Sequence, residues 1–261
     1  MTTLDRILDQ TRSTLPGLRA SRRQLELAAG AQPAGRDFAG ALRGSAVALI
    51  AEVKRQSPSA GVINRGLDPV SLATAYADGG AAAVSVLTDT AFFGGSLDDL
   101  DAVAREIPLA VLRKDFILDE TQLLEARAAG AAAALLIVRA LDQLTLRRLI
   151  EFTHQLGLTP LVEAHDADEL EGALEAGATV VGINARNLDT FAIDTASAWE
   201  LIAAVPSSLL AVAESGMATR SDVAGAAKAG ADAVLIGSAL ARASDPARMT
   251  RELTGVVRHA R

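Results

Sequence analysis

The chain has 261 residues, half of them hydrophobic, with no cysteine and a formal net charge of −7. This length and apolar fraction suffice for one large core, and α/β barrels often fill such a length as a single domain. The acidic balance, without a block of Lys or Arg, disfavours nucleic acid as a partner, and the lack of cysteine excludes disulfides, thiolate metal sites and a cysteine nucleophile.

Residues 1–46 are predicted to form a helical extension ahead of the first strand. The opening stretch MTTLDRILDQTRSTL interleaves charged and aliphatic residues, which is typical of an amphipathic helix and not of a signal peptide. Pro16-Gly17 and the stretch GAQPAG are expected to break the helical extension. No segment is long and apolar enough to cross a membrane, so we expect a soluble, cytoplasmic protein without a membrane partner.

Eight short apolar runs alternate with helical patterns over residues 47–261. Nearly continuous apolar strands suit a parallel sheet that is covered on both faces. The segments between them carry helix-forming residues and end in Gly, a common residue just after a helix. The predicted strands are 47–54, 82–87, 109–113, 133–138, 158–163, 179–184, 209–214 and 233–236.

A Gly-Ala step precedes every second predicted strand, at Gly80, Gly130, Gly177 and Gly230. Two strand–helix units separate each step from the next. Eight units with this repeat favour a (βα)8 TIM barrel over an open doubly wound sheet. The alternative explanation is that Ala-rich helices ending in Gly resemble one another in any α/β fold.

The odd-numbered strands end in charged residues that share the inward face. Side chains alternate along a strand, so every second residue faces the barrel interior. The last inward residues are Lys54 (with Glu52 one step below it), Lys114, Glu163 and Glu214. Because alternate strands contribute one layer of a barrel, these charges are expected to form a ring at the C-terminal mouth, where barrel enzymes carry their active sites. The alternative is that each strand turns polar where it meets solvent.

Small-residue turns follow the seventh and eighth strands, at Ser215-Gly216 and Gly237-Ser238. Glycine lets a phosphate approach the backbone, and the loops after these two strands form the usual phosphate site of barrels. Ordinary helix caps have the same composition, so each turn alone is weak evidence. Ser57-Pro58-Ser59, after the first strand, adds hydroxyls at the same mouth, either as a phosphate contact or as a simple turn.

Aromatic residues make up only 3% of the chain, yet Phe92, Phe93 and Phe116 fall in loops at the predicted mouth. Core packing is the usual role of Phe, but a loop Phe beside a polar ring could line the site of a flat apolar ligand. The three histidines show no metal-ligand spacing, and no metal site is predicted. His165 follows the fifth strand and starts a helix, which favours a turn residue over a catalytic base.

Seven stretches of the chain resemble the indole-3-glycerol phosphate synthase family of tryptophan biosynthesis. The resemblance implies a (βα)8 carboxy-lyase that acts on 1-(2-carboxyphenylamino)-1-deoxyribulose 5-phosphate. The implied products are indole-3-glycerol phosphate, carbon dioxide and water, formed with neither a metal nor an organic cofactor. The stretches span nearly the whole predicted barrel in order: IAEVKRQSPSAG (50–61), LTDTAFFGGS (87–96), LRKDFILD (112–119), LVEAHD (161–166), GINARNL (182–188), VAESG (212–216) and LIGSAL (235–240).

The same resemblance implies a role for each polar residue at the mouth. Lys114 would be the general acid toward the ribulose carbonyl, and Glu163 the base of the dehydration. Lys54 would hold an anionic group of the substrate and serve as a second acid. The implied orienting residues are Glu52 and Asn184, with Glu214 and Ser215 completing the polar ring. The implied substrate contacts are Gly216, Gly237, Ser238, Ser57 and Arg186 for phosphate, and Phe93, Phe116 and Pro58 for the anthranilate ring.

Three features depart from the family pattern. Ala185 stands where Asn is frequent, Ala60 stands in a loop that often carries Lys, and Pro16-Gly17 interrupts a segment that is usually helical. The third departure leaves the geometry of the N-terminal extension open.

Two alternative functions are disfavoured by particular residues. The phosphoribosylanthranilate isomerase family uses a Cys base, which this chain lacks. A barrel that binds phosphorylated ligands without turnover is disfavoured by the joint presence of Lys54, Lys114 and Glu163. The expected ligand is therefore a small phosphorylated molecule, and the sequence makes no prediction about contacts with other enzymes of the tryptophan pathway.

Overall fold

A computed structural model describes residues 2–261, in which eight parallel strands form a closed barrel. Each strand pairs with its neighbours in sequence, and the first and last strands close the cylinder, with Ala48 opposite Ala233. The predicted (βα)8 barrel is confirmed, and each predicted strand boundary lies within one residue of the observed one. The strands are β1 Ala48–Val53, β2 Ala83–Leu87, β3 Ala110–Lys114, β4 Ala133–Ile137, β5 Thr159–Ala164, β6 Val180–Asn184, β7 Leu210–Glu214 and β8 Ala233–Ile236.

Helices precede the barrel and follow its strands. Most begin at an Asp, Ser or Thr whose side chain accepts a hydrogen bond from a backbone N–H of the first turn, which stabilises the helix start. They are α1 Thr3–Ala20, α2 Arg22–Ala31, α3 Phe38–Ala41, α4 Pro69–Asp78, α5 Thr90–Phe93, α6 Leu97–Glu106, α7 Glu120–Ala128, α8 Gln143–Gln155, α9 Ala167–Glu175, α10 Thr195–Ala204, α11 Arg220–Lys228, α12 Ser238–Ala241 and α13 Pro246–Leu253. A short hairpin (Gln56–Ser57 and Gly61–Val62) follows β1, and a 3-10 turn (Val138–Ala140) follows β4.

Alternation along the strands separates two apolar clusters. Inward residues such as Ile50 and Leu112 pack inside the barrel, whereas outward residues such as Leu49 and Val111 pack among helix residues. Most residues of each strand belong to one cluster or the other, which explains the nearly continuous apolar runs. The strand residues that were predicted to face inward, and that led to the predicted ring of charges, do face the barrel interior.

The N-terminal extension lies across the mouth of the barrel. Leu4, Ile7 and Leu8 of α1 belong to the same buried cluster as the inward strand residues. The predicted break at Pro16-Gly17 is wrong, because α1 continues through both residues to Ala20. Pro16 is exposed, so the carbonyl that loses its helical N–H partner lies on the solvent side, where water can replace that partner.

The second predicted break interrupts the extension between α2 and α3. α2 stops at Ala31, just before Pro33 of the GAQPAG stretch. Arg19 of α1 also contacts Asp119 at 2.7 Å, which ties the extension to the start of α7. Within residues 2–261, no helix combines the length and the apolar composition that crossing a membrane requires.

Arg261 lies at the opposite end of the barrel, beside the starts of β7 and β8. The Arg261 side chain is only 5% exposed, and its Nη1 lies 2.8 Å from Asp232 Oδ2. The same guanidinium donates to the carbonyls of Leu209 (2.6 Å) and Val205 (3.2 Å). Arg258 contacts the second oxygen of Asp232 at 2.7 Å. Two cations thus neutralise the carboxylate beside the start of β8.

Candidate active site

A cavity of about 460 Å³ opens at the C-terminal ends of the strands. Leu4 and Ile7 of α1 line it on one side, so the N-terminal extension forms part of its wall. The structure brings together all the residues that the sequence predicted for the site: Glu52, Lys54, Ser57, Pro58, Phe93, Lys114, Phe116, Glu163, Asn184, Arg186, Glu214, Ser215, Gly216, Gly237 and Ser238.

Lys114, the last residue of β3, lies between two buried carboxylates. Its Nζ is 3.0 Å from Glu163 Oε2 and 2.9 Å from Glu214 Oε2. Burial disfavours the ammonium, but the charges of Glu163, Glu214 and Glu52 outweigh burial and raise the pKa of Lys114 above its ordinary value. Lys114 is therefore a charged donor at neutral pH.

Glu163, near the end of β5, is the carboxylate with the most partners. Besides Lys114, its Oε1 accepts a hydrogen bond from Asn184 Nδ2 at 3.2 Å, and His165 Nε2 lies 3.3 Å from the same oxygen. Burial favours the neutral acid, but Lys114, His165 and Asn184 together hold the pKa of Glu163 well below its ordinary value. Glu163 is therefore ionised.

Glu214, the last residue of β7, has fewer partners. Its Oε2 accepts from Lys114, whereas its buried Oε1 has no hydrogen-bond partner within residues 2–261. Burial, opposed by Lys114 and reinforced by the nearby Glu163, raises the pKa of Glu214 to about 8. Of the two carboxylates that share one ammonium, Glu214 is therefore the one that takes up a proton more readily.

Lys54 and Glu52 form a second ion pair on the opposite side of the mouth. Lys54 Nζ lies 2.6 Å from Glu52 Oε1, and Glu52 is buried. Gly237 lies directly against this pair, since an added Cβ would overlap Glu52 Oε1 and come within 3.0 Å of Lys54 Nζ. The glycine after β8 therefore leaves room for the ion pair.

The turn after β7 has an unusual backbone. Ser215 and Gly216 both have positive φ, at 67° and 77°. A residue other than Gly in this region costs about 1–3 kcal/mol, and such strain is concentrated at functional sites. The turn exposes backbone toward the cavity beside Gly237 and Ser238, where the sequence predicts a phosphate site.

The loops after β1 and β6 complete this side of the cavity. Ser57 Oγ accepts a hydrogen bond from Ala60 N at 3.1 Å, which orders the hairpin after β1. The backbone N–H of Arg186 donates to Asn184 Oδ1 at 3.0 Å, and its guanidinium donates to Phe191 O at 3.2 Å. Both predicted polar contacts are thus held in ordered loops.

The apolar wall is formed by two loop aromatics and α1. The ring centroids of Phe93 and Phe116 are 6.2 Å apart, with the planes tilted by 37°. Such a pair, with Leu4 and Ile7, offers a slot for a flat ring. Phe92 does not line the cavity, and its ring instead lies 6.0 Å from the guanidinium carbon of Arg6.

Three contributions to the site are missing from the sequence-based prediction. His165 contacts Glu163. Its position two residues after Glu163, and therefore on the same face of the strand, could have indicated this contact. The α1 residues at the mouth were detectable as a helical apolar face with no partner inside the extension. Arg242 lines the cavity and donates to Ala60 O at 3.4 Å, and no sequence pattern marks it. Within residues 2–261, no three His, Asp or Glu side chains are grouped as a metal site.

A sequence model described as indole-3-glycerol phosphate synthase matches residues 4–253. The chain belongs to this family. A relative from Streptomyces griseus named indole-3-glycerol phosphate synthase is 46% identical, over 99% of this chain and 97% of its own length. A Streptomyces coelicolor relative named indole-3-glycerol phosphate synthase 1 is 47% identical with the same coverage. The resemblance stated from the sequence is confirmed, and it places the chain in an enzyme family of carboxy-lyases.

Solved structures similar to this indole-3-glycerol phosphate synthase family member share its fold. Thiamine phosphate pyrophosphorylase from Pyrococcus furiosus aligns with a TM-score of 0.59 at 18% identity, over 79% of this chain and 93% of the other. The 3-hexulose-6-phosphate synthase of Salmonella typhimurium aligns with a TM-score of 0.60 at 19% identity, over 79% and 96%. At these identities the likeness supports the barrel alone.

Proposed function

We propose that this protein is an indole-3-glycerol phosphate synthase that converts 1-(2-carboxyphenylamino)-1-deoxyribulose 5-phosphate to indole-3-glycerol phosphate, carbon dioxide and water. The observation that carries the proposal is the position of Lys114, an ammonium held between Glu163 and Glu214 at the mouth of the barrel. The reaction needs a proton donor and a proton acceptor within reach of one small molecule, and this cluster contains both.

Binding would fix the two ends of the substrate. The backbone at Gly216, Gly237 and Ser238 would receive the phosphate, with contributions from Ser57 and Arg186, since all five residues line the cavity. The anthranilate ring would lie against Phe93, Phe116 and Pro58. Holding both ends brings the aromatic carbon close to the ribulose carbonyl, which lowers the entropic part of the barrier.

Ring closure would use Lys114 as the acid. The aromatic carbon that carries the carboxylate attacks the ribulose carbonyl carbon, and Lys114 donates a proton to the carbonyl oxygen as it becomes a hydroxyl. Carbon dioxide then leaves from the attacking carbon, which restores the aromatic ring. A positioned ammonium both donates the proton and stabilises the developing negative charge.

Dehydration would use Glu163 as the base and Lys54 as the second acid. The hydroxyl leaves as water when Lys54 protonates it, and Glu163 accepts the proton that the new five-membered ring loses. Asn184 supports this role, because its hydrogen bond fixes one oxygen of Glu163. Glu52 orients Lys54 through their ion pair, and Glu214 and Ser215 complete the polar surface.

Turnover by purified protein tests the proposal. Wild-type protein should convert the substrate to a product with indole absorbance and fluorescence, and it should release carbon dioxide in equal amount. Lys114→Met should lower kcat by at least ~10². The absence of indole with the wild-type protein would overturn the function, and a Lys114→Met variant with more than about a third of the activity would remove Lys114 from the acid role.

The two carboxylates can be separated by single-turnover kinetics. Glu163→Gln keeps the shape and can accept one of the two hydrogen bonds but cannot accept a proton, so carbon dioxide release should precede indole formation. Glu52→Gln should instead slow both signals together, because it misplaces a lysine used in binding. Coincident signals in Glu163→Gln, compared with wild-type traces, would refute this division of roles.

Two predictions about the whole chain belong to the same proposal. We place the protein in the cytoplasm, which is supported by the match to bacterial relatives named indole-3-glycerol phosphate synthase. We also treat residues 1–46 as an extension of the barrel domain 47–261, supported by the α1 residues in the wall of the barrel's own cavity.

A further inference from the structure

His165 is a buried histidine placed between two carboxylates. Its side chain is 4% exposed, and its Nε2 lies 3.3 Å from Glu163 Oε1 while its Nδ1 lies 2.9 Å from Glu169 Oε2. The backbone N–H of His165 also donates to Glu169 Oε2 at 2.9 Å. The ring therefore connects the base proposed above with a residue of helix α9.

Glu169, the carboxylate on the outer side of His165, forms an ion pair with Arg139. Arg139, in the 3-10 turn after β4, lies 2.6 Å from Glu169 Oε1 through its Nε. Its Nη2 lies 3.5 Å from Asp166, which is more than half exposed. Charges of opposite sign thus alternate from the cavity toward the surface, in the order Lys114, Glu163, His165, Glu169 and Arg139.

Carboxylates next to both ring nitrogens favour an imidazolium. A neutral imidazole has one nitrogen without a proton, and that lone pair would face a carboxylate oxygen here. The contact with Glu163 is outside hydrogen-bond geometry, since Nε2 has no hydrogen-bond partner within residues 2–261, so it acts through charge. Burial opposes the cation, but Glu163 and Glu169 outweigh burial and raise the pKa of His165 to about 9.

We propose that His165 is a positioning residue for Glu163, which holds one oxygen of that carboxylate beside Asn184 so that the other faces Lys114 and the cavity. This inference rests on the proposed function for its effect on catalysis. The contact between the two side chains does not depend on it. The charged groups that face His165 and Glu163 come from several elements: Lys114 of β3, Arg139 of the 3-10 turn, Glu169 of α9 with Asp166 at its N-cap, and Glu214 of β7.

The pH dependence of turnover tests the positioning role. Glu163 must be ionised to accept a proton, and an adjacent cation changes a pKa by about 1–3 units. In His165→Gln the acidic limb of the kcat profile should therefore move up by about one to three pH units. The maximal kcat should fall by about 10–100-fold because the base is misplaced, with KM nearly unchanged.

Two further variants keep this test decisive. His154→Gln replaces a solvent-exposed histidine of α8 and should leave the profile unchanged. Glu169→Gln replaces His165→Gln in the test if the latter does not fold. It retains the shape of the outer carboxylate but removes its charge, which lowers the pKa of His165. The basic limb of the kcat profile, where His165 loses its proton, should then move to lower pH. A fall in kcat with both limbs unmoved would mean that His165 is merely structural and would overturn the proposal.

An NMR titration measures the contact without turnover. The His165 imidazole nitrogens should remain protonated well above pH 7, because Glu163 and Glu169 raise the pKa of this side chain. Glu163→Gln should lower the His165 midpoint by about one to three units. If the titration midpoint of His165 is the same in Glu163→Gln as in the wild type, the inference is refuted. Failure of the wild-type protein to form indole would refute the proposed function but would not affect the titration result.

Discussion

Glu214 Oε1 occupies the space that a side chain at Gly182 would need. Gly182 lies on β6, directly beside Glu163 of β5, and faces the barrel interior. A Cβ atom added there would overlap the carboxylate oxygen of Glu214. Because Gly182 has no side chain, Glu214 of the adjacent strand β7 can extend over it to Lys114, whose Nζ lies 2.9 Å from Glu214 Oε2.

Gly182→Ala should disturb the charged cluster without disturbing the fold. The added methyl group displaces Glu214 from Lys114, and a misplacement of about 1 Å can lower activity by up to 10²-fold. We expect kcat to fall by at least ~10-fold. Gly30→Ala is the matched control, because a Cβ there meets no other atom. Full activity in a folded Gly182→Ala variant would contradict the role assigned to this space.

Lys114→Met should make stability depend on pH in a new way. Without the ammonium, two buried carboxylates face each other, and their folded pKa values rise above those of the unfolded chain. The protonated forms then favour the folded state, so the contribution of this pair to stability should be complete below about pH 4.5 and be lost as the pH rises. Denaturant unfolding of variant and wild type, followed from about pH 5 to about pH 9, measures this loss. A constant stability difference across that range would argue against a buried carboxylate pair.

Glu214→Gln should remove a pH dependence that the wild type already has. The pKa of Glu214 is raised from 4.5 to about 8 in the folded protein. Its contribution to stability is therefore complete below about pH 4.5 and is lost as the pH rises through about 8. Wild-type protein should lose more unfolding free energy than the variant between about pH 6 and about pH 9. Parallel curves would show that Glu214 is already ionised at pH 6.

Gly237→Val should weaken phosphate binding by an indirect route. A side chain at this position would overlap the Glu52–Lys54 pair. We expect the valine both to displace Lys54 and to distort the start of α12. Calorimetric affinity for inorganic phosphate and for product should both fall by at least ~10-fold, about 1.4 kcal/mol. Gly17→Val provides a comparison at an open position on α1. Unchanged affinity for both ligands would place the phosphate elsewhere.

Arg261→Ala should lower the free energy of unfolding and leave kcat unchanged. The substitution removes one of two cations from buried Asp232 and frees carbonyls that the guanidinium satisfies. Breaking a buried pair costs roughly 3 kcal/mol in unfolding free energy. Arg258→Ala, which removes the more exposed cation, should cost about 1 kcal/mol or less. A large loss of kcat in folded Arg261→Ala would contradict the separation of this cluster from the mouth.

The barrel and the members of its site follow from patterns that lie within single strands. A charge two residues beyond an inward Leu or Val marks the mouth because the strand period is fixed, and that rule places Lys114, Glu163 and Glu214 together. The course of α1 does not follow from a local rule, because the cost of Pro16 depends on its surroundings, and at an exposed position water can replace the lost hydrogen bond. The contact of His165 with Glu169 depends on how α9 approaches β5, which no single stretch of sequence specifies.

The pairing of β1 with β8 also has a consequence for folding. Glu52 and Lys54 come early in the chain, whereas Gly237, against which they lie, belongs to the last strand–helix unit. Such long-range pairing carries a large loop-closure entropy and slows folding. During synthesis, the mouth therefore remains incomplete until the ribosome has released nearly the whole barrel, and until then β1 presents an open edge on one side.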